Sequence, residues 1–184
     1  MKEKYNYEEF ILWGRSMGAA TALGFYEDYI YSKPGGDQFA GVKALVLDSP
    51  FTDFRQVILN KINNYLLINW FKDGIMRRLE EAAEKNHNIR ISDIHMFKDD
   101  YEILNEIPIL LIASAEDELT SYDMIEKLSQ RFKGEHRLIT LKGKHAASRE
   151  PAVLETIYEY VIKMFGKPVK TLEARLEEVD ANEN

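Results

Sequence analysis

Phe10-Ile11-Leu12-Trp13-Gly14-Arg15-Ser16-Met17-Gly18-Ala19-Ala20 is the stretch that decides the fold. Four apolar residues run into a serine bracketed by glycines, and Met17, Ala20, Leu23 and Tyr26 then recur at helical steps of three. A short strand that passes through G-x-S-x-G straight into a helix has to turn sharply. Such a turn holds Ser16 in a strained backbone conformation, with its hydroxyl raised above the end of the strand. Gly14 and Gly18 are expected to leave room where strand and helix approach closely. The helix N-terminus adds positive potential where an oxyanion would form, and the backbone N–H of Met17 is the donor nearest to it.

Outward from this turn, short apolar runs alternate with longer amphipathic segments. The runs at 10–13, 42–47, 107–113 and 138–141 are bounded by Gly, Pro or charged residues, as strands buried on both faces of a parallel sheet would be. Between them, Thr120 with Asp123 predicts a helix start, followed by a buried face of Met124, Ile125, Leu128 and Phe132. Pro151 suits a first helical turn, and Val153, Ile157, Tyr160, Val161 and Met164 continue its stripe. Strands alternating with helices imply crossover connections and a parallel sheet. The connection over about 52–106 is too long for a simple crossover; Leu59, Ile62, Leu66, Trp70, Phe71 and Leu79 among charges predict an inserted helical unit. The expected organisation is one catalytic domain over 1–166 containing that insertion, then a charged tail over 167–184. In the tail, Val169, Leu172, Leu176 and Val179 offer only a weak stripe, and fraying is expected.

A serine hydroxyl needs a base, and the base needs a third group to orient it. His145 follows the last strand in Lys142-Gly143-Lys144-His145, where loops at the carboxyl ends of parallel strands form sites. His136 would start that strand at the opposite edge of the sheet, and His87 and His95 fall in the insertion. For the acid, the third strand ends in Ser114-Ala115-Glu116-Asp117-Glu118, three carboxylates that chemistry alone does not separate. Asp117 is preferred because the turn must extend a few residues beyond the strand to reach the histidine loop, with Glu116 and Glu118 then pointing to either side. Asp48, in Leu47-Asp48-Ser49-Pro50, is the rival acid; its structural alternative is to accept backbone N–H groups in the turn that follows.

The bulk composition narrows the alternatives. With 184 residues, 45% hydrophobic and 30% charged, the chain has the make-up of one globular domain with a sizeable core. Net charge is −7 and the basic residues are scattered, so no footprint for nucleic acid is present. The absence of cysteine excludes disulfides, thiolate metal sites and a cysteine nucleophile. No run approaches the roughly 18 apolar residues of a membrane span, and the first nine residues lack a signal-like apolar core, so a cytoplasmic location is expected without stable membrane insertion.

These motifs together resemble the α/β-hydrolase superfamily, in particular its serine-aminopeptidase-like and acyl-hydrolase-like members. Gly14-Arg15-Ser16-Met17-Gly18-Ala19, with Thr21-Ala22-Leu23 after it, matches their nucleophile elbow, and Leu45-Val46-Leu47-Asp48-Ser49-Pro50-Phe51 their next strand. Ala115-Glu116-Asp117 and Gly143-Lys144-His145 match the other two triad turns, so the resemblance covers about 10–165. It implies a three-layer α/β/α-hydrolase fold with a mostly parallel sheet. It also implies catalysis by Ser16, His145 and Asp117 on a small-molecule or acylated substrate, with no metal or organic cofactor. An ester or thioester is expected first; a peptidase or amidase, or an inactive interaction module, is the alternative. Members of this superfamily carry further strands before the elbow strand, where only nine residues stand here. The expectation is therefore an N-terminally truncated sheet, completed by a missing segment or by a partner, which would also supply the second oxyanion donor.

Overall fold

The computed structural model describes residues 9–32, 41–63, 69–94, 103 and 107–164. The expected tail at 167–184, Leu66 and His95 lie outside them. Four strands, β1 (Phe10–Arg15), β2 (Val42–Asp48), β3 (Ile109–Ser114) and β4 (His136–Leu141), form one sheet in the order β1-β2-β3-β4. Every pairing is parallel. Among the described residues five α-helices accompany them: α1 (Met17–Ser32), α2 (Phe54–Asn63), α3 (Lys72–His87), α4 (Tyr122–Arg131) and α5 (Pro151–Met164).

The period of two along the central strands sorts side chains into two cores. Leu45 and Leu47 of β2, with Ile109, Leu111 and Ala113 of β3, pack on one face against Ala19 and Leu23 of α1 and Ile125 and Leu128 of α4. Ala44, Val46, Leu110 and Ile112 face the other way, onto Ile157 and Tyr160 of α5. The result is a three-layer α/β/α arrangement. Each of these fully buried Leu and Ile side chains stabilises the fold by roughly 1.5–3 kcal/mol, which explains why β2 and β3 read as unbroken apolar runs.

The outer strands depart from the expectation of burial on both faces. β2 and β3 are buried almost throughout, whereas β1 and β4 are mostly half-buried, and Trp13 is 54% exposed. Among the described residues β1 pairs only with β2, and β4 only with β3, so each lacks a second neighbour to cover it. Met17 also leaves the expected stripe, being 64% exposed, while Ala19, Ala20, Leu23 and Tyr26 carry the buried face of α1.

Over 52–94 the described residues hold α2, α3 and two short 3₁₀ turns, Asn69–Phe71 and Ile91–Asp93. Asp53 starts α2 by accepting the Gln56 amide at 3.1 Å. Asn88, left-handed at φ 53°, ends α3: its amide donates to the Glu84 carbonyl at 2.9 Å, and the Ile89 amide to the Ala83 carbonyl at 3.3 Å. Arg55 and Glu80 link the two helices at 3.0 Å. Among the described residues, no helix is long and apolar enough to cross a membrane.

Candidate active site

Four parallel strands end on the same side, so Arg15, Asp48, Ser114 and Leu141 share one rim. Ser16 comes next after β1. Its φ of 52° lies in the left-handed region, which a non-glycine residue enters only when its surroundings hold it there. Those surroundings are specific. The Ser16 amide donates to the Asp48 carbonyl at 2.7 Å, and the Ser16 carbonyl accepts from Ala20 at 3.0 Å as α1 begins.

The two glycines of the elbow behave differently. A Cβ on Gly14 would fall 2.2 Å from the Gly18 carbonyl oxygen and 2.5 Å from the Ala19 nitrogen, so only glycine allows strand and helix to cross there. A Cβ on Gly18 would meet nothing within 4 Å among the described residues. The expectation that both glycines make room is therefore corrected: Gly14 alone is sterically required, because the crossing places helix backbone over the strand side of the turn.

His145 lies on the loop between β4 and α5, in a turn closed by the Ala147 amide on the Lys144 carbonyl at 3.0 Å. Gly143 enters that turn at φ 99°, where an L side chain is strained. The imidazole is 15% exposed and meets three side chains, with Thr120 Oγ1 3.3 Å from Nδ1. Its Nε2 lies 2.9 Å from Ser16 Oγ, and its Nδ1 lies 2.7 Å from Asp117 Oδ2. An ionised carboxylate can only accept, so Nδ1 carries the proton and Nε2 presents its lone pair to the serine hydroxyl.

Asp117 is the one carboxylate of its turn to be buried; Glu116 is exposed and Glu118 half-buried. The amides of Leu119 and Thr120 both donate to its Oδ1 at 2.9 Å, and the Thr120 hydroxyl donates to Oδ2 at 2.8 Å. Burial pushes the Asp117 pKa up, but the hydrogen bonds from His145, from the two amides and from the Thr120 hydroxyl outweigh it, holding the carboxyl below its ordinary value. Thr120 is thus fully buried against the acid and does not start the next helix. Ser121 does, accepting from the Met124 amide at 3.4 Å. The spacing of Thr120 to Asp123 suits a helix cap, but the Asp117 carboxylate claims its hydroxyl instead. α2 reaches the same turn through Asn60, whose Nδ2 donates to the Leu119 carbonyl at 2.9 Å.

The rival residues lie elsewhere. Asp48 is 1% exposed, and its carboxylate receives the guanidinium of Arg149, with Nε at 2.9 Å from Oδ2 and Nη2 on Oδ1. Among the described residues its carboxylate is met by Arg149 and Arg15, and not by His145 or the backbone amides of the following turn. His136 stands at the amino end of β4 with Nδ1 3.0 Å from the Gly134 carbonyl, and His87 is exposed at the end of α3. Met17 opens α1, so its amide is among the four that a helix leaves without an intrahelical acceptor. Among the described residues no cluster of three His, Asp or Glu side chains is placed to hold a metal ion. Two contributors were missed from sequence. Thr120 carried the signal of lying three residues after the acid, whereas Arg149 carried none, since its partner Asp48 is 101 positions away.

Known structures share this arrangement of strands and helices. A protein of Agrobacterium vitis S4 provisionally named a hydrolase superposes over 89% of this chain and 64% of its own, with a TM-score of 0.57 and 18% identity. An esterase from Pyrococcus furiosus matches over 88% of this chain and 56% of its own, with a TM-score of 0.56 and 14% identity. Human thioesterase 2 matches over 85% and 72%, with a TM-score of 0.50 and 18% identity. The chain thus spans 64% and 56% of the length of the first two. No protein-family profile and no curated protein matches the sequence. At these identities the likeness establishes the fold: the chain has the α/β-hydrolase fold.

Proposed function

We propose that the chain is the catalytic part of a serine hydrolase that cleaves an acyl ester or thioester through an acyl-enzyme. The observation that carries this reading is the unbroken hydrogen-bond path from Ser16 Oγ through His145 to Asp117, at 2.9 and 2.7 Å. In it, Ser16 attacks the acyl carbonyl while His145 Nε2 takes the hydroxyl proton. Asp117 keeps the Nδ1 proton in place and stabilises the imidazolium without itself accepting the proton. The carbonyl electrons move onto oxygen, where the Met17 amide donates. His145 then protonates the leaving group. Water enters, loses a proton to His145 and attacks the acyl carbonyl; as the bond to Ser16 Oγ breaks, His145 returns that proton to the serine and the free acid leaves.

A second oxyanion donor belongs to this reading, on a segment or partner that pairs along the outer side of β1; such a donor contributes on the order of 10²–10³ in rate. The presence of an esterase and a thioesterase among the fold's known examples favours oxygen and sulfur esters over amides. The test is a panel of p-nitrophenyl esters and acyl thioesters beside aminoacyl anilides. Turnover of esters or thioesters that vanishes in His145→Ala is expected. Faster cleavage of anilides would replace the esterase reading with a peptidase one, and no turnover of any class by a folded sample would remove the hydrolase reading.

A further inference from the structure

The loop that carries His145 has no regular structure, yet its ring must hold two hydrogen bonds at once. Two arginines hold the loop on the rim of the sheet. Arg15, the residue before the nucleophile, crosses to it and donates from Nη2 to the carbonyl of His145 at 2.6 Å and to that of Ala147 at 2.7 Å. Four residues beyond His145, Arg149 turns inward with its side chain 6% exposed and grips Asp48 through two nitrogens. The same guanidinium donates to Ser114 Oγ at 2.9 Å and Ser49 Oγ at 3.2 Å. Asp48 stands beside Arg15 in register across β1 and β2, and the Arg15 Nε lies 3.7 Å from its Oδ2. One buried carboxylate therefore connects both arginines, and the ends of β1, β2 and β3 all meet the loop.

We infer that Arg15 is a positioning residue for the general base, acting with Asp48 and Arg149 as a clamp that fixes the His145 loop. The inference rests on the hydrolase reading of the site and deepens it. Arg149 needs a planar guanidinium, because its three nitrogens reach Asp48, Ser114 and Ser49 in diverging directions, whereas Arg15 bonds both loop carbonyls from Nη2 while its Nε faces Asp48. Arg149 and Asp48 are buried as a pair, so removing either leaves the other charge stranded and threatens the fold. Arg15 is 38% exposed and bonds chiefly to two carbonyls, so its loss should loosen the loop and spare the core. A displacement of about 1 Å in a catalytic group costs on the order of 10²-fold.

The experiment uses the full chain as wild type, Arg15→Ala and Arg15→Lys. Rate constants for labelling by a fluorophosphonate, kcat and KM on an ester, the thermal midpoint, and amide exchange over 143–149 are measured for each. Arg15→Ala is expected to label and turn over about 10–100-fold more slowly, with KM within about twofold and an unchanged thermal midpoint. Millimolar guanidinium should restore part of its rate, Arg15→Lys should fall between, and exchange over 143–149 should quicken in the alanine variant. Labelling and exchange as in wild type would overturn the inference, as would a loss that follows the thermal midpoint and that guanidinium does not rescue. If the wild type itself never labels, the hydrolase reading falls, and exchange alone then decides the clamp: faster exchange in Arg15→Ala supports it and equal exchange overturns it.

Discussion

At the carboxyl rim of the sheet, Asp48, Ser114, Asp117 and Thr120 are all buried and all hydrogen-bonded. Over 52–94, by contrast, α2 and α3 each bury a single side chain among those described, Ile62 and Met76, and Trp70 is 95% exposed. The two regions are held by different physics. Polar groups buried at the rim can be tolerated only if each finds its partner, so that end has one arrangement and substitutions there reach the chemistry. The helices rest on sparse apolar contacts and an Arg55–Glu80 pair that is partly in water, worth about 0–1 kcal/mol. Substitutions there should change stability locally and leave the relation of Ser16 to His145 alone.

The largest expected difference between the regions is Asp117→Asn. An amide at that position donates to His145 Nδ1, which moves the ring proton to Nε2 and removes the lone pair that Ser16 needs. A loss of roughly 10⁴ in kcat is predicted, read by steady-state ester hydrolysis. The same substitution has a pH signature. Because the Asp117 pKa is held below its ordinary value, the carboxylate adds stability that is complete above the usual carboxylate range and is lost as pH falls beneath about 4. Asp117→Asn should therefore flatten the acid limb of denaturation curves recorded across that window. A variant that keeps near wild-type turnover would place the acid elsewhere and dissolve the contrast.

Next in size are the two glycines of the elbow. Gly14→Ala drives a Cβ into helix backbone that cannot yield, and a destabilisation of about 3 kcal/mol or more is expected from urea denaturation. Gly18→Ala meets open space on a helix and should cost nothing or add a few tenths of a kcal/mol through helix propensity, roughly. Equal effects would mean that the elbow is not shaped by the single crossing at Gly14.

The smallest effects belong to the helices. Met76→Ala removes a fully buried side chain and should cost about 2–3 kcal/mol, whereas Trp70→Ala should stay within about 0.5 kcal/mol. Both should leave the rate of covalent labelling of Ser16 unchanged. A fall in labelling for either would show that these helices shape the site, sharpening their role from support to substrate contact.

How much of this was legible follows from range. The strands β2 and β3 were readable because burial on both faces leaves an uninterrupted apolar signature, and the elbow because glycine, serine and helix stripe are adjacent in sequence. β1 and β4 read alike but are half-exposed, since a strand's neighbours are not written in its own residues. Asp117 could be preferred over Glu116 and Glu118 only by the reach of its turn. Gly18 matched the motif without the contact that the motif implies, which no pattern reveals. The partnership of Asp48 with Arg149, 101 positions apart, needs the folded rim to bring it together. Thr120 reads as a helix start, because local spacing cannot say that a carboxylate three residues earlier competes for the same hydroxyl.

The most direct test of the central claim is reaction of the purified, folded chain with a fluorophosphonate, beside Ser16→Ala, with the adduct located by mass spectrometry. A single adduct on Ser16, absent from the alanine variant, is the predicted result. A folded chain that takes no label, or one whose label persists in Ser16→Ala, would contradict it.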